Sequence, residues 1–137
     1  MKAFEIATLS DGTTDSTIIE YQREGALLSL RARCNPEKTY KAYDLFQCFG
    51  LLRADNPTTK FLCKGAKINV YTSSMSSQMS AGLVAYELQL GRPAELEGVV
   101  RIFDYEENNI TNNIQLQQEF RKRWIESLAN RCKNSCL

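Results

Sequence analysis

An acidic run near residue 105 is the densest group of side chains that could carry chemistry. The residues concerned are Glu95, Glu97, Asp104, Tyr105, Glu106 and Glu107. Paired carboxylates can hold a metal ion or act as general acid and base, as in glycoside cleavage. Nothing upstream in the sequence completes such a site, and runs of charge ordinarily face water. A third interpretation is a contact patch for a basic partner, in which the carboxylates steer association and Tyr105 packs as an anchor.

The cysteines could supply thiol chemistry, but the sequence lacks the residues that would activate a thiol or complete a metal site. Cys63 precedes Lys64, which could favour a thiolate, but the chain contains no histidine to accept the proton. A buried structural thiol is therefore the expectation for Cys63. Cys132 and Cys136 are one helical turn apart, yet structural zinc normally needs four ligands. We expect no catalytic residue, no metal site and no cofactor.

Two further patterns have structural explanations. Serines crowd around Met75 and Met79, but neither a GxSxG elbow nor a P-loop is present, so a tight loop with core-filling methionines is expected. The last predicted helix carries Arg121, Lys122 and Arg123, which would suit a nucleic-acid-binding regulator. The net charge of +1 gives that alternative no support, and cations near a helix C-terminus also complement its dipole.

Composition favours one domain, 1–137, in a reducing compartment. The odd, scattered set of five cysteines is typical of a cytoplasmic chain. No apolar stretch approaches the roughly 20 residues that span a bilayer, and the N-terminus lacks the apolar run of a secretion signal. We therefore expect a cytoplasmic protein without a membrane partner.

The first half of the sequence predicts strands over 2–9, 17–21 and 28–32, joined as an antiparallel meander. Asn35 then suits a helix N-cap, Pro36 the first helical position and Glu37 the first turn. A helix over 36–54 should therefore cross the sheet. Its apolar stripe consists of Ala42, Leu45, Phe46, Phe49 and Leu52.

The second half is organised around 61–90, where short strands are predicted over 61–63, 67–71 and 83–90. In the last of these, four alternating side chains should face the core: Val84, Tyr86, Leu88 and Leu90. The conformation of 72–82 stays open, and 94–105 is ambiguous between strand and helix, with a short helix favoured. A final helix over 113–130 should dock through Leu116, Phe120, Trp124 and Leu128, followed by a frayed tail over 131–137. The prediction is an α+β domain, mainly antiparallel sheet packed by two helices.

The order of residues over 61–128 also resembles a pattern in small bacterial proteins encoded beside polymorphic toxins of the Rhs and contact-dependent growth inhibition systems. The segments that carry it are Cys63 to Lys67, Val70 to Met75, Gln78-Met79, Gly82, Ala85-Tyr86, Leu88, Leu90-Gly91, Val99 to Asp104, Gln118 to Phe120, Arg123 to Ile125 and Ser127-Leu128. The chain departs from the pattern at Thr72 and Ser74, where proline and glycine are common, and at Gly98, where an acidic residue is usual.

That resemblance implies a non-enzymatic immunity protein, which binds a cognate toxin domain and masks its active or docking surface. It transfers no functional residue, because the shared motif concerns the scaffold. The acidic run is our prediction for the toxin contact. The alternatives are a nucleic-acid-binding regulator that uses the last helix, and an enzyme that uses Cys63 or the carboxylates of 104–107.

Overall fold

The computed structural model describes residues 2–73, 77, 80–94 and 98–135, with side chains to residue 130. The predicted meander is confirmed: β1 (Lys2–Ser10), β2 (Thr13–Glu24) and β3 (Leu27–Ala32) pair antiparallel in sequence order. Two short strands, β4 (Tyr40–Ala42) and β5 (Thr59–Phe61), complete a sheet of order β4-β3-β2-β1-β5. The fold is α+β, as predicted.

One face of this first sheet forms the main core. Ile6, Ile19 and Leu30 are fully buried on it because alternate residues of a strand point to the same side. Helix α1 (Leu45–Ala54) contributes Phe46 and Phe49 to the same cluster. The core therefore lies between the curled sheet and α1.

The predicted start of the first helix is wrong. The helix begins at Leu45 rather than at 36, although it ends at Ala54 as expected. Asp44 is the N-cap, and its Oδ1 accepts a hydrogen bond from the Gln47 amide at 2.8 Å. Residues 40–42 instead form β4, whose ladder with β3 outweighs the local capping signal of Asn35-Pro36.

A second, three-stranded sheet packs beside the first. It consists of β6 (Val70–Tyr71), β7 (Val84–Glu87) and β8 (Val99–Arg101), in that order and antiparallel. The short helix favoured for 94–105 is thus wrong for 99–101, because the β-branched pair of valines joins the β7 ladder. Between the two sheets, Lys64–Ala66 form a 3-10 turn rather than a strand connection.

The predicted buried face of 83–90 is correct only in part: Leu88 is 5% exposed, as expected, but the other three side chains are not fully buried. Ala85 is fully buried against the core, whereas Val84 and Tyr86 are only partly covered and Leu90 is 46% exposed. β7 presents its small residue inward, where Ala85 and Val70 of the neighbouring strand β6 both belong to the buried core cluster. The strand ends at Glu87, before the turn at Gly91 (φ +79).

Helix α2 (Ile114–Ser135) runs five residues beyond the predicted end at 130. Phe120, Trp124 and Leu128 are partly buried, as expected, but Leu116 is 38% exposed. Fraying of 131–137 stays a prediction, and residues 136 and 137 lie outside the described chain. Among the described residues, no helix is both long enough and apolar enough to span a bilayer.

Candidate functional site

The acidic segment 104–107 lies across the 3-10 turn, directly after β8. The Lys64 amide donates to the Asp104 carbonyl at 2.8 Å, and the Glu106 amide donates to the Leu62 carbonyl at 3.2 Å. An antiparallel bridge also joins Cys63 to Tyr105. These contacts fix the backbone of the segment over residues that are 40 or so positions earlier in the chain.

Buried aromatic packing anchors the segment from below. Ile102 and Phe103, which precede it, are buried in the core. The Phe103 ring lies 5.1 Å from the Phe4 ring and 5.4 Å from the Phe49 ring, measured between centroids. The segment therefore begins from a rigid point where the first sheet, α1 and β8 meet.

Glu106 is committed to contacts within the chain. Its Oε1 accepts hydrogen bonds from the Nζ atoms of Lys64 and Lys67, each at 3.0 Å, and Lys67 also bonds to Glu87. Its Oε2 accepts from the Glu107 amide at 3.0 Å. The Glu106 side chain is only 11% exposed, so it does not present a free carboxylate to a partner.

The electrostatics of this cluster follow from those contacts. Hydrogen bonds from Lys67 and then Lys64 lower the pKa of Glu106 to about 2, against the effect of burial. Burial disfavours the charged form of Lys67, but its hydrogen bonds to Glu87 and Glu106 outweigh burial and raise its pKa. Both groups are charged at neutral pH, so Glu106 is unsuited to act as a general acid there.

The exposed part of the segment consists of Asp104, Tyr105 and Glu107, which we call the Tyr105 patch. Tyr105 is 61% exposed, and its hydroxyl donates to Glu107 Oε2 at 2.9 Å. That hydrogen bond is the main cause of the raised pKa of Tyr105. The remaining predicted contact residues, Glu95 and Glu97, lie outside the described residues.

The thiols are placed as structural groups. Cys63 is fully buried, and burial raises its pKa to about 12; burial likewise raises the pKa of Cys48 to about 11. The expectation that Cys63 is a buried thiol is confirmed, and a thiol with such a pKa is not an active nucleophile. The Cys132 side chain and Cys136 lie outside the described residues. Among the side chains that are described, no three Cys, Asp or Glu residues cluster as metal ligands.

A buried cation at position 53 was not predicted. Arg53 is fully buried and donates to the Thr111 carbonyl at 2.6 Å and to Gln117 Oε1 at 2.8 Å. Its guanidinium also lies 5.0 Å from the centre of the Phe49 ring. Burial lowers its pKa to about 10, so it stays charged at neutral pH. Its position four residues after Phe49, on the apolar side of α1, was the available sequence signal.

The basic stretch of α2 is partly engaged with aromatic side chains of the same chain. The Arg121 guanidinium lies 5.2 Å from the centre of the Tyr71 ring, and that of Arg123 lies 5.9 Å from the Phe120 ring. Trp124 donates to the Arg92 carbonyl at 2.7 Å. The Arg121 contact docks α2 on Tyr71 of β6, whereas the Arg123 contact lies within α2, so one of the three cations has a docking role.

Comparisons with known proteins do not assign a family. No protein-family model matches the chain, and no curated protein matches it either. The kinship with immunity proteins stays a hypothesis that rests on the sequence resemblance.

Proposed function

We propose that this protein is a non-catalytic, cytoplasmic immunity protein that binds a cognate bacterial toxin domain and masks its active or docking surface. The observation that carries the proposal is the Tyr105 patch, an exposed aromatic side chain flanked by carboxylates on a fixed backbone. The sequence resemblance supplies the class of partner.

Exposure of Tyr105 on a rigid segment suits recognition. Tyrosine is one of the residues that most often dominate binding energy at protein interfaces. Its hydroxyl is already oriented by Glu107, and the backbone is held by Leu62 and Lys64. Little conformational entropy would therefore be lost in ordering this surface when a partner binds, and this favours affinity.

The charges of the patch suit a basic partner. Asp104 and Glu107 are exposed, whereas Lys64 and Lys67 neutralise Glu106 internally. Two carboxylates rather than three would then steer association with a basic surface. A toxin domain that acts on nucleic acid has such a surface, because it must contact phosphates.

The experiment is co-expression with the toxin domain encoded by the neighbouring gene, followed by binding measurements on the purified proteins. Wild type should rescue growth and form a complex. Tyr105→Ala should weaken binding about 30-fold, the loss typical of a central aromatic contact.

The matched control is Tyr43→Ala, since Tyr43 is 72% exposed outside the patch. Tyr43→Ala should bind as wild type does. Absence of both rescue and a complex with wild type would refute the immunity function, and equal binding by the two variants would remove Tyr105 from the contact surface.

A further inference from the structure

The first sheet encloses a cavity at one of its ends. The end of β1 and the start of β2 form one side, while β5 and the C-terminal end of α1 form the other. Its volume is about 310 Å³. Small-molecule sites run from about 300 to 1,000 Å³, so the cavity is large enough for a small ligand.

The chemistry of the inner face changes at this end. Further along the sheet the inner face is apolar, with Ile6 and Ile19 in the core. At the cavity the same alternation places hydroxyl side chains inward, above a floor of buried apolar residues. The hydroxyl wall is Thr8, Ser10, Thr13, Thr17 and Thr59, and the floor is Ala32, Leu52 and Phe61.

Thr8 is the most informative of these residues. It is only 7% exposed and it lines the cavity, yet none of the hydrogen bonds among the described residues uses its hydroxyl. By contrast, the Ser10 hydroxyl donates to Thr59 Oγ1 at 3.0 Å. The Thr8 hydroxyl is not one of the enclosed polar atoms that lack a partner, so it is open to solvent and is available to a ligand in the cavity.

The two charged side chains that line the cavity, Asp15 and Lys38, already have contacts within the chain. Lys38 also lines the cavity, but its Nζ is paired with Asp55 at 2.6 Å, and the Tyr40 hydroxyl donates to the same carboxylate at 2.6 Å. The Asp15 carboxylate accepts a hydrogen bond from the Ser16 amide at 2.7 Å. An anionic ligand would therefore have to displace Asp55 from Lys38, the cation that lines the cavity, and the exposed Asp15 would repel it.

We infer that this cavity binds an uncharged, polyhydroxylated small molecule of about monosaccharide size. Its apolar face lies on Ala32, Leu52 and Phe61, and its hydroxyls pair with Thr8 and the neighbouring threonines. Hydroxyl groups can both donate and accept, so a hydroxyl wall matches a ligand of the same kind. This site lies on the first sheet and is independent of the proposed toxin contact.

The test is a residue-resolved NMR titration of the whole protein with D-glucose, D-galactose, D-ribose and N-acetyl-D-glucosamine. Sodium sulfate and methylammonium chloride are the charged comparators. At least one sugar should produce saturable shifts confined to the ends of β1 and β3 and the starts of β2 and β5. The same sugar should slow alkylation of Cys34, an exposed thiol that lines the cavity.

Thr8→Val removes the unpaired hydroxyl and keeps the shape of the side chain. It should weaken sugar binding about fivefold, the loss expected for one neutral hydrogen bond, without lowering the stability of the free protein. Thr14→Val is the matched control, because Thr14 is exposed and lies outside the cavity. It should bind the sugar as wild type does.

Three results would overturn the inference: no sugar of the panel saturates, only a charged comparator shifts the cavity residues, or Thr8→Val binds as tightly as wild type. If Thr8→Val does not fold, the wild-type titration and the Cys34 alkylation rate decide by themselves. Toxin binding by Tyr105→Ala is measured separately, so failure of one proposal is distinguishable from failure of the other.

Discussion

At the scale of single residues, two buried or half-buried charges join parts of the chain that are distant in sequence. Glu106 connects the segment after β8 to the 3-10 turn and its flank through Lys64 and Lys67. Arg53 connects α1 to the start of α2 through Thr111 and Gln117. Both residues stabilise the fold through contacts within the chain, and these contacts do not require a binding protein.

Glu106 should make the protein sensitive to acid. Because the pKa of Glu106 is about 2 in the folded state and 4.5 ordinarily, the unfolded state binds the proton more readily. The contribution of Glu106 to the free energy of unfolding is complete above pH 4.5 and is lost as the pH falls through about 2. Urea unfolding of Glu106→Gln should show a loss on the order of 1–2 kcal/mol at pH 7 and a shallower decline between pH 4.5 and 2.

Glu5→Gln, which removes an exposed carboxylate on β1, is the control for that measurement and should retain the wild-type decline. An unchanged acid decline in Glu106→Gln would mean that the two lysine contacts add nothing to stability.

Arg53 and Gln117 should be energetically coupled. Arg53→Met leaves the Thr111 carbonyl and Gln117 without their donor, so we expect a loss of about 2–4 kcal/mol. Gln117→Leu also removes the hydrogen bonds from Nε2 to the carbonyls of Gly65 and Lys67. In a double-mutant cycle by denaturant unfolding, the double variant should lose about 1–2 kcal/mol less than the sum of the single losses. If the two single losses simply add, the 2.8 Å hydrogen bond between Arg53 and Gln117 contributes nothing to the free energy of unfolding.

At the scale of elements, the start of α1 depends on the loop that precedes β7. The Leu45 amide donates to the Ala81 carbonyl at 2.7 Å, and the Ser77 hydroxyl donates to Asp44 Oδ2 at 2.7 Å. Gly82, with φ +83, packs directly against Asp44. The N-cap of α1 is therefore fixed by a tertiary contact as well as by its own side chain.

Gly25 and Gly82 both have a positive φ, but of the two only Gly82 packs against the start of α1. Comparing their alanine variants therefore separates the energetic cost of disturbing that contact from the cost of backbone strain. A Cβ on Gly25 (φ +64) would meet nothing within 4 Å, whereas one on Gly82 would lie 2.8 Å from Asp44 Cβ and 3.0 Å from the Leu45 amide nitrogen. Gly25→Ala should cost about 1–2 kcal/mol through backbone strain alone. Gly82→Ala should cost at least about 1 kcal/mol more in thermal or denaturant unfolding, because helix backbone must shift. Equal losses of stability would mean that the 80–82 loop shifts to accommodate the new Cβ without moving α1.

At the scale of the whole molecule, the near-zero net charge leaves steering to local groups. The chain has 17 basic and 16 acidic residues, so a basic partner is not attracted by the protein as a whole. The exposed carboxylates Asp104 and Glu107 are then the expected source of any salt-dependent association through the Tyr105 patch. Stopped-flow association with the proposed toxin partner measures this directly.

The double variant Asp104→Asn/Glu107→Gln should slow association severalfold at low salt and flatten its salt dependence, with a smaller effect on dissociation. The control, Glu5→Gln/Glu37→Gln, makes the same change in net charge at exposed positions elsewhere. If both variants slow association equally, the effect comes from total charge and the patch does not steer.

The sequence by itself determined the elements whose signals are local. Alternation over 2–32 predicts β1, β2 and β3, because one strand face must be apolar when the other meets water. The end of the first helix at residue 54 was also predicted, and α1 does end at Ala54. The buried state of Cys63 followed from its apolar neighbours and the lack of histidine.

Only the tertiary structure decided what depends on distant partners. Pairing with β3 made residues 40–42 a strand, β4, and the observed register of β7 places Ala85 rather than Tyr86 in the buried core. Glu106 is not a free charge, because it pairs with Lys64 and Lys67, which lie 42 and 39 residues earlier in the chain. The hydroxyls of the cavity come from strands that only the curled sheet brings together. Burial and pairing depend on contacts between remote segments, which hydrophobic period and capping residues do not encode.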